Sequence, residues 1–265
     1  MRSAAASGLL ALVLLAAGCG GSEKGDASGT TTGASTTEAE TGTETTATEV
    51  GTTAVGLYFL RDDRLGYALR TVPVTPKVAT AALEQLFAGP NELEREAGLS
   101  SDVPSNTEVE SLTIEGGLAR VELSNPLDEP AKAQVVFTLT RYPTVQRVEL
   151  DGAVSTRADY EQVAPAILVE QPAPGTTVSS PLRISGSANT FEATFMVDVV
   201  SDQGGKPLFH DFVTATSGSG TRGTFEESLD FVVDRQRPGK LVVYENSAED
   251  GSVIKKVEIP LVLLP

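Results

Sequence analysis

The stretch VESLTIEGGLARVEL, residues 109–123, places two runs of alternating apolar and polar residues on either side of Gly116-Gly117. A Gly-Gly pair tolerates the positive φ values that tight hairpin turns require. Because Val121 and Leu123 alternate with charged residues, one face of the second run is buried and the other faces water. The stretch therefore predicts an antiparallel hairpin in a half-buried sheet.

The residues before this hairpin predict a second hairpin and a helix. Val55–Leu60 and Tyr67–Val74 are β-rich runs around a polar turn. Thr75-Pro76 offers an N-cap hydroxyl and a proline at the first helical position, and Gly89-Pro90 ends the helix that follows.

The residues after the hairpin fit two structures. Glu129-Pro130 is a typical helix start, whereas Val135–Thr138 favours a strand. A last strand is predicted at Val145–Leu150, before the turn Asp151-Gly152. If the ambiguous segment is helical, the order is ββ-α-ββ-α-β, which is an α+β layer of helices on a sheet.

The C-terminal part consists of short β-like runs. Residues 156–164 predict a polar connector, and Phe191 to Val199 then alternates apolar and polar residues. Turn signals separate the later runs at Gln203–Gly205, Arg237–Gly239 and Asp250-Gly251. Short strands at this spacing predict a β-sandwich.

The N-terminus has the pattern of an exported lipoprotein. The apolar run Leu9–Leu15 follows Arg2 and is too short to span a bilayer. Leu15–Cys19 resembles the lipobox of bacterial lipoproteins, which implies cleavage before Cys19 and diacylation of its sulfur. We therefore predict a lipoprotein signal peptide at residues 1–18 and an extracytoplasmic protein that is lipid-anchored to the cell membrane.

Residues 19–53 have the composition of a disordered tether. They are rich in Thr and Gly and contain no aromatic residue, so they cannot bury enough apolar surface to fold. The chain also has 36 acidic against 20 basic residues, a net charge of −16, which disfavours a nucleic-acid partner.

Cofactor and metal sites are not expected. Cys19 is the only cysteine and His210 the only histidine, so neither a thiolate site nor a zinc site can be assembled. Gly218–Gly223 matches G-x-G-x-x-G, but β-like residues follow it, so we predict a hairpin loop rather than a dinucleotide site.

Charged residues offer no convergent catalytic set either. His210-Asp211 lacks the nucleophile elbow of a hydrolase. The carboxylates of Glu92, Glu94, Glu96, Glu226, Glu227, Glu249 and Asp250 are interpreted as a solvated acidic surface, with Ca²⁺ binding or glycosidase chemistry as alternatives. Arg235, Arg237 and Lys240 are interpreted as a charged loop, with a contact for an acidic partner as the alternative. We predict no catalytic residue and no enzyme.

The first half of the chain resembles a known family. The matching segments are Leu86–Pro90, Val103-Pro104, Gly116–Ser124, Gln134–Thr140 and Val148–Gly152. Together they resemble the GerMN domain of sporulation and spore-germination proteins over residues 54–155. The resemblance implies that the ambiguous segment is a helix, and hence an α+β domain made of a mixed sheet with two helices.

Residues 165–265 are similar to the immunoglobulin-like domain that follows GerMN domains in germination-type lipoproteins. The matching segments are Gln171-Pro172, Pro174-Gly175, Pro181-Leu182, Gly186, Ala188, Phe191–Ala193, Gly223–Glu226, Tyr244–Ser247 and Glu249–Ser252. The resemblance implies an all-β immunoglobulin-like sandwich. The Cys…Trp…Cys pattern of antibody domains is missing from the sequence, so this likeness is architectural.

These features predict a non-enzymatic envelope lipoprotein that presents two interaction modules, as a scaffold in sporulation, germination or envelope assembly. Its expected partners are the membrane, through Cys19, and envelope proteins of unknown identity. The alternative is a lipoprotein that binds a cell-wall glycan or peptide through the β-sandwich. Sugar binding favours exposed aromatic residues, and the chain has no Trp and five Tyr.

Overall fold

The structure, a computed structural model, describes residues 51–265. The predicted signal peptide, Cys19 and the tether up to residue 50 lie outside the described residues. Within residues 51–265, every helix is too short or too polar to cross a bilayer.

The N-terminal domain contains two separate sheets and three helices. Its elements are β1 Thr52–Arg61, β2 Arg64–Pro73, α1 Val78–Phe87, α2 Glu92–Glu96, β3 Val109–Glu115, β4 Leu118–Leu123, α3 Glu129–Leu139, β5 Arg147–Leu150 and β6 Ala153–Ser155. β1 and β2 form an antiparallel hairpin, whereas the other strands form a mixed sheet in the order β3-β4-β5-β6. α1 and α3 pack against β1.

Both predicted hairpins are confirmed. Gly116 and Gly117 adopt φ values of 54° and 79° in the β3–β4 turn, which is the left-handed conformation that a Gly-Gly pair makes accessible. The helical interpretation of the segment 131–142 is confirmed for residues 131–139, because α3 covers Glu129–Leu139. Asp128 caps its start by accepting a hydrogen bond from the Ala131 amide.

Two details of the helices differ from the prediction. α1 begins at Val78 rather than Pro76, because the Thr75 hydroxyl accepts the Lys77 amide (3.1 Å) in a turn that precedes the helix. α2 is an additional helix, and its residues were expected to form only an acidic surface. Asn91 caps it, accepting from the Glu94 amide at 2.9 Å, while the Glu94 carboxylate accepts from the Asn91 amide at 2.7 Å.

The C-terminal domain is a sandwich of two sheets. Its strands are β7 Ile167–Gln171, β8 Thr177–Val178, β9 Leu182–Ala188, β10 Thr194–Ser201, β11 Phe209–Thr214, β12 Gly223–Leu229, β13 Arg237–Asn246 and β14 Val253–Leu263. The sheet orders are β11-β10-β13-β14-β8 and β12-β9-β7. The rings of Phe195 and Phe225 meet edge-on between the sheets at 5.0 Å. The predicted fold class, an α+β domain followed by an immunoglobulin-like sandwich, is confirmed.

Two predictions inside the sandwich are wrong. The strand predicted from Phe191 begins only at Thr194, because Glu192 and Ala193 adopt φ values of 54° and 60° and turn the backbone. Gly218–Gly223 is not a hairpin loop, because the strands that it joins, β11 and β12, belong to different sheets. The loop therefore connects the two layers.

Candidate functional site

The connector between the two domains, residues 156–164, is partly buried, although its sequence predicted a polar segment. Tyr160, Val163 and Ala164 are each less than 10 % exposed and belong to the core of the N-terminal domain. The Leu65 amide donates to the Val163 carbonyl oxygen at 2.9 Å. The β1–β2 hairpin is thus fastened to the connector through the backbone.

Arg157 of the connector joins both domains. Its Nε donates to Thr140 Oγ1 of the N-terminal domain at 2.8 Å, and its Nη1 donates to Glu170 Oε1 of β7 at 2.9 Å. Its Nη2 donates to the Tyr58 hydroxyl at 3.1 Å, and the guanidinium lies 4.8 Å from the centre of the Phe137 ring. A cation–π contact and directed hydrogen bonds therefore act together on one side chain.

The Tyr58 hydroxyl completes this network by donating to Glu170. Burial raises the pKa of Tyr58 well above its usual range; Arg157 opposes this rise and Glu170 adds to it. Tyr58 is therefore a neutral hydrogen-bond donor at physiological pH. We call Tyr58, Arg157 and Glu170 the junction triad.

A second contact ties the connector to the sandwich. Arg222 donates to both carboxylate oxygens of Glu161, from Nε at 2.9 Å and from Nη2 at 3.0 Å, and its Nη2 also reaches the Pro165 carbonyl oxygen at 2.7 Å. Asn189 donates to the same carboxylate at 2.9 Å. Burial raises the pKa of Glu161, but the hydrogen bonds from Arg222 and Asn189 outweigh it and hold this pKa below its ordinary value.

The hydrophobic core also crosses the junction. Leu168 and Ala173, which follow the connector, pack with the core of the N-terminal domain, whereas Ile167 and Val169 pack into the sandwich. Successive residues of β7 therefore serve opposite domains, as the alternation of side chains along a strand allows. The two domains are held in one arrangement by apolar packing as well as by charge.

A cavity of about 480 Å³ opens at this junction. Its wall is formed by the β1–β2 turn, the connector, β7 and β14, with Arg222 at one side. Its size lies within the range of small-molecule sites, which is roughly 300–1,000 Å³. Sequence reasoning missed this cavity, because its wall combines segments that are far apart in the chain.

The structure does not assemble a catalytic group around His210. Its Nδ1 lies 2.6 Å from Asp198 Oδ1, across the β10–β11 pair, whereas the carboxylate of the neighbouring Asp211 accepts the Phe212 amide. The described residues contain no group of three or more His, Cys, Asp or Glu side chains placed to hold a metal ion.

Several of the acidic and basic residues singled out in the sequence pair with other residues of the same domain. Glu94 is buried, not solvated, and accepts from Arg70 Nε at 3.0 Å, so the acidic-surface interpretation is wrong for this residue. Glu226 and Glu227 are exposed. In the predicted basic loop, Arg237 pairs with Asp234, and Lys240 pairs with Glu258 at 2.5 Å.

One exposed face of the sandwich carries aromatic side chains. Met196 on β10 lies opposite Phe212 of β11 on one side and Tyr244 of β13 on the other. Residues directly opposite one another share a face, and the neighbouring Phe195 points into the core. Phe212 is 62 % exposed. We call Phe212, Met196 and Tyr244 the aromatic row.

Two solved structures resemble parts of the chain. The tandem GerMN domains of the sporulation protein GerM from Bacillus subtilis are 23 % identical, with a TM-score of 0.32, over 37 % of this chain and 38 % of that one. A putative lipoprotein from Clostridium perfringens is 16 % identical, with a TM-score of 0.27, over 42 % of this chain and 91 % of that one. The chain thus spans about 38 % of the GerM structure. No curated protein matches the chain.

Two protein families match the two domains in the order predicted from the residues. Residues 56–153 match the family described as "Sporulation and spore germination", and residues 166–252 match the "Immunoglobulin-like domain of bacterial spore germination". The first domain of this chain therefore belongs to the sporulation and spore germination family, and the second belongs to the immunoglobulin-like domains of bacterial spore germination.

Proposed function

We propose that the protein is a non-enzymatic envelope lipoprotein, anchored to the membrane through Cys19, whose two domains act as one interaction scaffold in sporulation, germination or envelope assembly. Both domain families are associated with sporulation and germination. The lipobox-like sequence Leu15–Cys19 supports the anchor.

The fixed junction is the observation that carries this proposal. Arg157 bonds Tyr58 and Glu170 at once, and Leu168 extends the N-terminal core into β7. A surface that spans both domains is therefore formed before a partner arrives. Pre-organisation of this kind lowers the entropy lost on binding, which suits a scaffold better than two freely moving modules would.

The anchor and the tether supply the rest of the mechanism. Lipid on Cys19 confines the domains to the membrane surface and raises their effective concentration for envelope partners. We propose that residues 20–50 act as a Gly-rich tether, which would have a span on the order of 30 Å and let the domain pair reach through a layer of that depth. The exposed edges of the sheets are places where a partner strand can add.

The test is cross-linking in living cells, with capture through a C-terminal tag and mass spectrometry. We expect one or two proteins to be recovered reproducibly, cross-linked to residues 54–265, and to be depleted when Cys19→Ala abolishes anchoring. Arg157→Ala should reduce the cross-links that involve both domains, whereas Arg147→Ala, which changes an exposed arginine of β5, should not. Recovery of no specific protein from the anchored form would overturn the proposal.

A second candidate function is supported by the aromatic row, which suits a cell-wall glycan or peptide. Aromatic faces stack on apolar ligand surfaces, and the hydrogen-bonded pair of His210 and Asp198 lies beside the row on the same face. The test is co-sedimentation with purified peptidoglycan. Phe212→Ala should abolish retention, and Phe191→Ala should not, because Phe191 is equally exposed (65 %) but lies outside the row. Equal retention of both variants would reject this candidate.

A further inference from the structure

The outer edge of β11 is an open sheet edge in the described part of the chain. Within residues 51–265, β11 is the last strand of its sheet and pairs with β10 alone. Just beyond β11, the Ala215 amide donates to the Ala193 carbonyl oxygen at 2.8 Å, in register with the strand pair. Because ladder bonds alternate along an antiparallel pair, Val213 and Asp211 also bond to β10, and the backbone groups of the residues between them point away from it.

His210, Phe212 and Thr214 therefore carry the outward backbone groups of this edge. Phe212 gives an independent sign of this direction, because its amide donates to the Asp211 carboxylate at 2.8 Å rather than to β10. Unpaired strand edges are the places at which a further strand adds to a sheet. The edge of β11 thus offers a row of donors and acceptors to an extended segment.

Asp211 places a charge on the inner side of this edge. It shares a face with Val213, which is 4 % exposed and belongs to the core of the sandwich, yet Asp211 itself is exposed. The neighbouring His210 pairs with Asp198 instead, and the ion pairs within residues 51–265 do not include Asp211. Inward-pointing charges on edge strands obstruct unspecific strand addition. Asp211 therefore closes the edge to strands that bring no positive charge.

A basic residue on the incoming strand removes this obstacle. A strand that bonds the Phe212 amide displaces the Asp211 carboxylate, and a lysine or arginine opposite Asp211 gives that carboxylate a new donor. An acidic residue in the same position adds repulsion. The net charge of −16 acts in the same direction, because it repels a second copy of the chain and attracts a basic partner.

The outer side of the same edge is apolar. Phe212 is 62 % exposed and continues the aromatic row with Met196 and Tyr244. In an added strand, the residue opposite Phe212 lies on this face beside its ring, where pairs of aromatic and β-branched residues are favourable. Successive residues of a strand point to opposite faces, so the strand that matches both sides of the edge alternates basic and apolar residues.

We propose that the edge of β11 binds an extended segment of a partner protein in which basic residues alternate with β-branched or aromatic ones. The segment adds to the sheet through the backbone of His210, Phe212 and Thr214. It places a basic side chain against Asp211 and an apolar one against Phe212. The proposal rests on the scaffold function above and identifies where, and by which chemistry, its protein partner is held.

The experiment titrates the full-length chain carrying Cys19→Ser with two blocked peptides, acetyl-KVKVKVK-amide and acetyl-EVEVEVE-amide, at physiological ionic strength. We expect the lysine peptide to bind about tenfold more tightly than the glutamate peptide. Amide NMR shifts should be concentrated on residues 194–199 and 209–215.

Asp211→Lys tests the charge and should reverse the order of the two peptides. Asp211→Asn keeps an acceptor for the Phe212 amide and should remove most of the preference. Glu115→Lys is the matched control, because it makes the same change in net charge at an exposed position of β3 in the other domain, and it should leave the order unchanged.

Thr214→Pro tests the backbone. It removes an amide that faces away from β10, and proline is tolerated in edge strands at such positions. Thr214→Val changes the side chain and retains the amide. We expect Thr214→Pro to weaken binding of the lysine peptide about tenfold relative to Thr214→Val, the upper range for one backbone hydrogen bond.

The proposal is overturned if neither peptide binds, if both bind equally, if the shifts fall elsewhere, or if the two Thr214 variants act alike. Equal effects of Asp211→Lys and Glu115→Lys would overturn it too. Dimerisation of the chain that Thr214→Pro abolishes would assign the edge to a second copy instead. The scaffold function fails separately, namely if the anchored protein captures no envelope protein in cells.

Discussion

Arg157 contacts three side chains that come from two domains, and each contact uses a different part of its guanidinium. Nε meets Thr140, Nη1 meets Glu170 and Nη2 meets Tyr58. A lysine could not reproduce this set, because an ammonium group lacks the planar fork and does not stack on a ring. The identity of the residue matters here as much as its charge.

Arg157→Ala should lower the free energy of unfolding by about 3 kcal/mol, because it leaves Glu170 and Tyr58 without their shared donor. The value lies at the low end for a buried ion pair, since 30 % of the Arg157 side chain is exposed. Urea denaturation measures it. The double variant Arg157→Met, Glu170→Met should lose less than the sum of the two single losses. An equal loss in Arg147→Ala would contradict this account of the junction.

Glu161 makes the stability of the junction depend on pH. The ordinary pKa of its carboxyl is 4.5, and the folded protein holds it lower. A lowered pKa contributes stability that is complete above the unfolded value and is lost as pH falls through the folded value. We expect Glu161→Gln to be less stable than the natural chain above about pH 5, and the difference in stability to narrow as pH falls through the lowered pKa. Thermal melts across this range give the comparison, and a gap that widens on acidification would disprove it.

The short helix α2 begins at a local helix-start signal, Asn91 followed by Glu94 three residues later. It has five residues, far fewer than an isolated helix needs to be stable in water. Its stability comes from the reciprocal cap between Asn91 and Glu94 and from the ion pair of Glu94 with Arg70 on β2. One carboxylate thus fixes the helix start and its position on the domain.

Asn91→Ala should cost about 1 kcal/mol, because the Glu94 amide loses its acceptor. Guanidinium denaturation and hydrogen exchange at Ala97 and Gly98 would register the loss. Asn246→Ala is the matched control, since Asn246 is exposed at the end of β13. If both variants were equally stable, the cap would have no energetic role.

The sequence was most informative where structure depends on neighbouring residues. Gly116-Gly117 predicted the β3–β4 turn, and the alternation around it predicted the half-buried sheet. The resemblance to the GerMN family decided that residues 131–142 are helical, which propensity left open. α2 was missed although Asn91 and Glu94 have the spacing of a capping box. Only the pairing of Glu94 with Arg70, 24 residues away, carries no local sequence signal.

The candidate site was missed for the same physical reason. Tyr160 and Val163 looked like parts of a polar connector because Arg157, Asp159 and Glu161 make the segment polar, yet their burial depends on how two domains meet. The cavity needs Arg64, Ile167 and Val257 in one wall, and only the folded chain brings these residues together. Turn patterns near Glu192 likewise did not disclose the positive φ that shortens β10.

In the molecule as a whole, the two domains are expected to unfold as one unit. The core of the N-terminal domain includes Leu168 of β7, and the backbone of the hairpin is bonded to the connector at Val163. Loss of order in either domain therefore exposes apolar surface of the other. Cooperative units of this kind are detected by hydrogen exchange.

Leu168→Ala should lower the free energy of unfolding by about 3 kcal/mol, through lost burial and the cavity left behind. The decrease should be the same whether it is read from amides of β1 or of β13. Leu93→Ala shortens a leucine that is 68 % exposed and should have little effect. If hydrogen exchange gives different free energies of unfolding for β1 and β13 in the natural chain, the two domains unfold separately.

The shared connector also determines how such proteins can be recombined. A crossover between residues 157 and 170 would separate Arg157 from Glu170, and one between residues 161 and 222 would separate Glu161 from Arg222. If the other parent has no matching residue, the chimera leaves a charge unpaired that the natural chain neutralises. The unit that can be transferred intact to another protein is therefore the pair of domains with their connector. A fusion of this unit to another membrane anchor should begin near residue 51 and include the last strand.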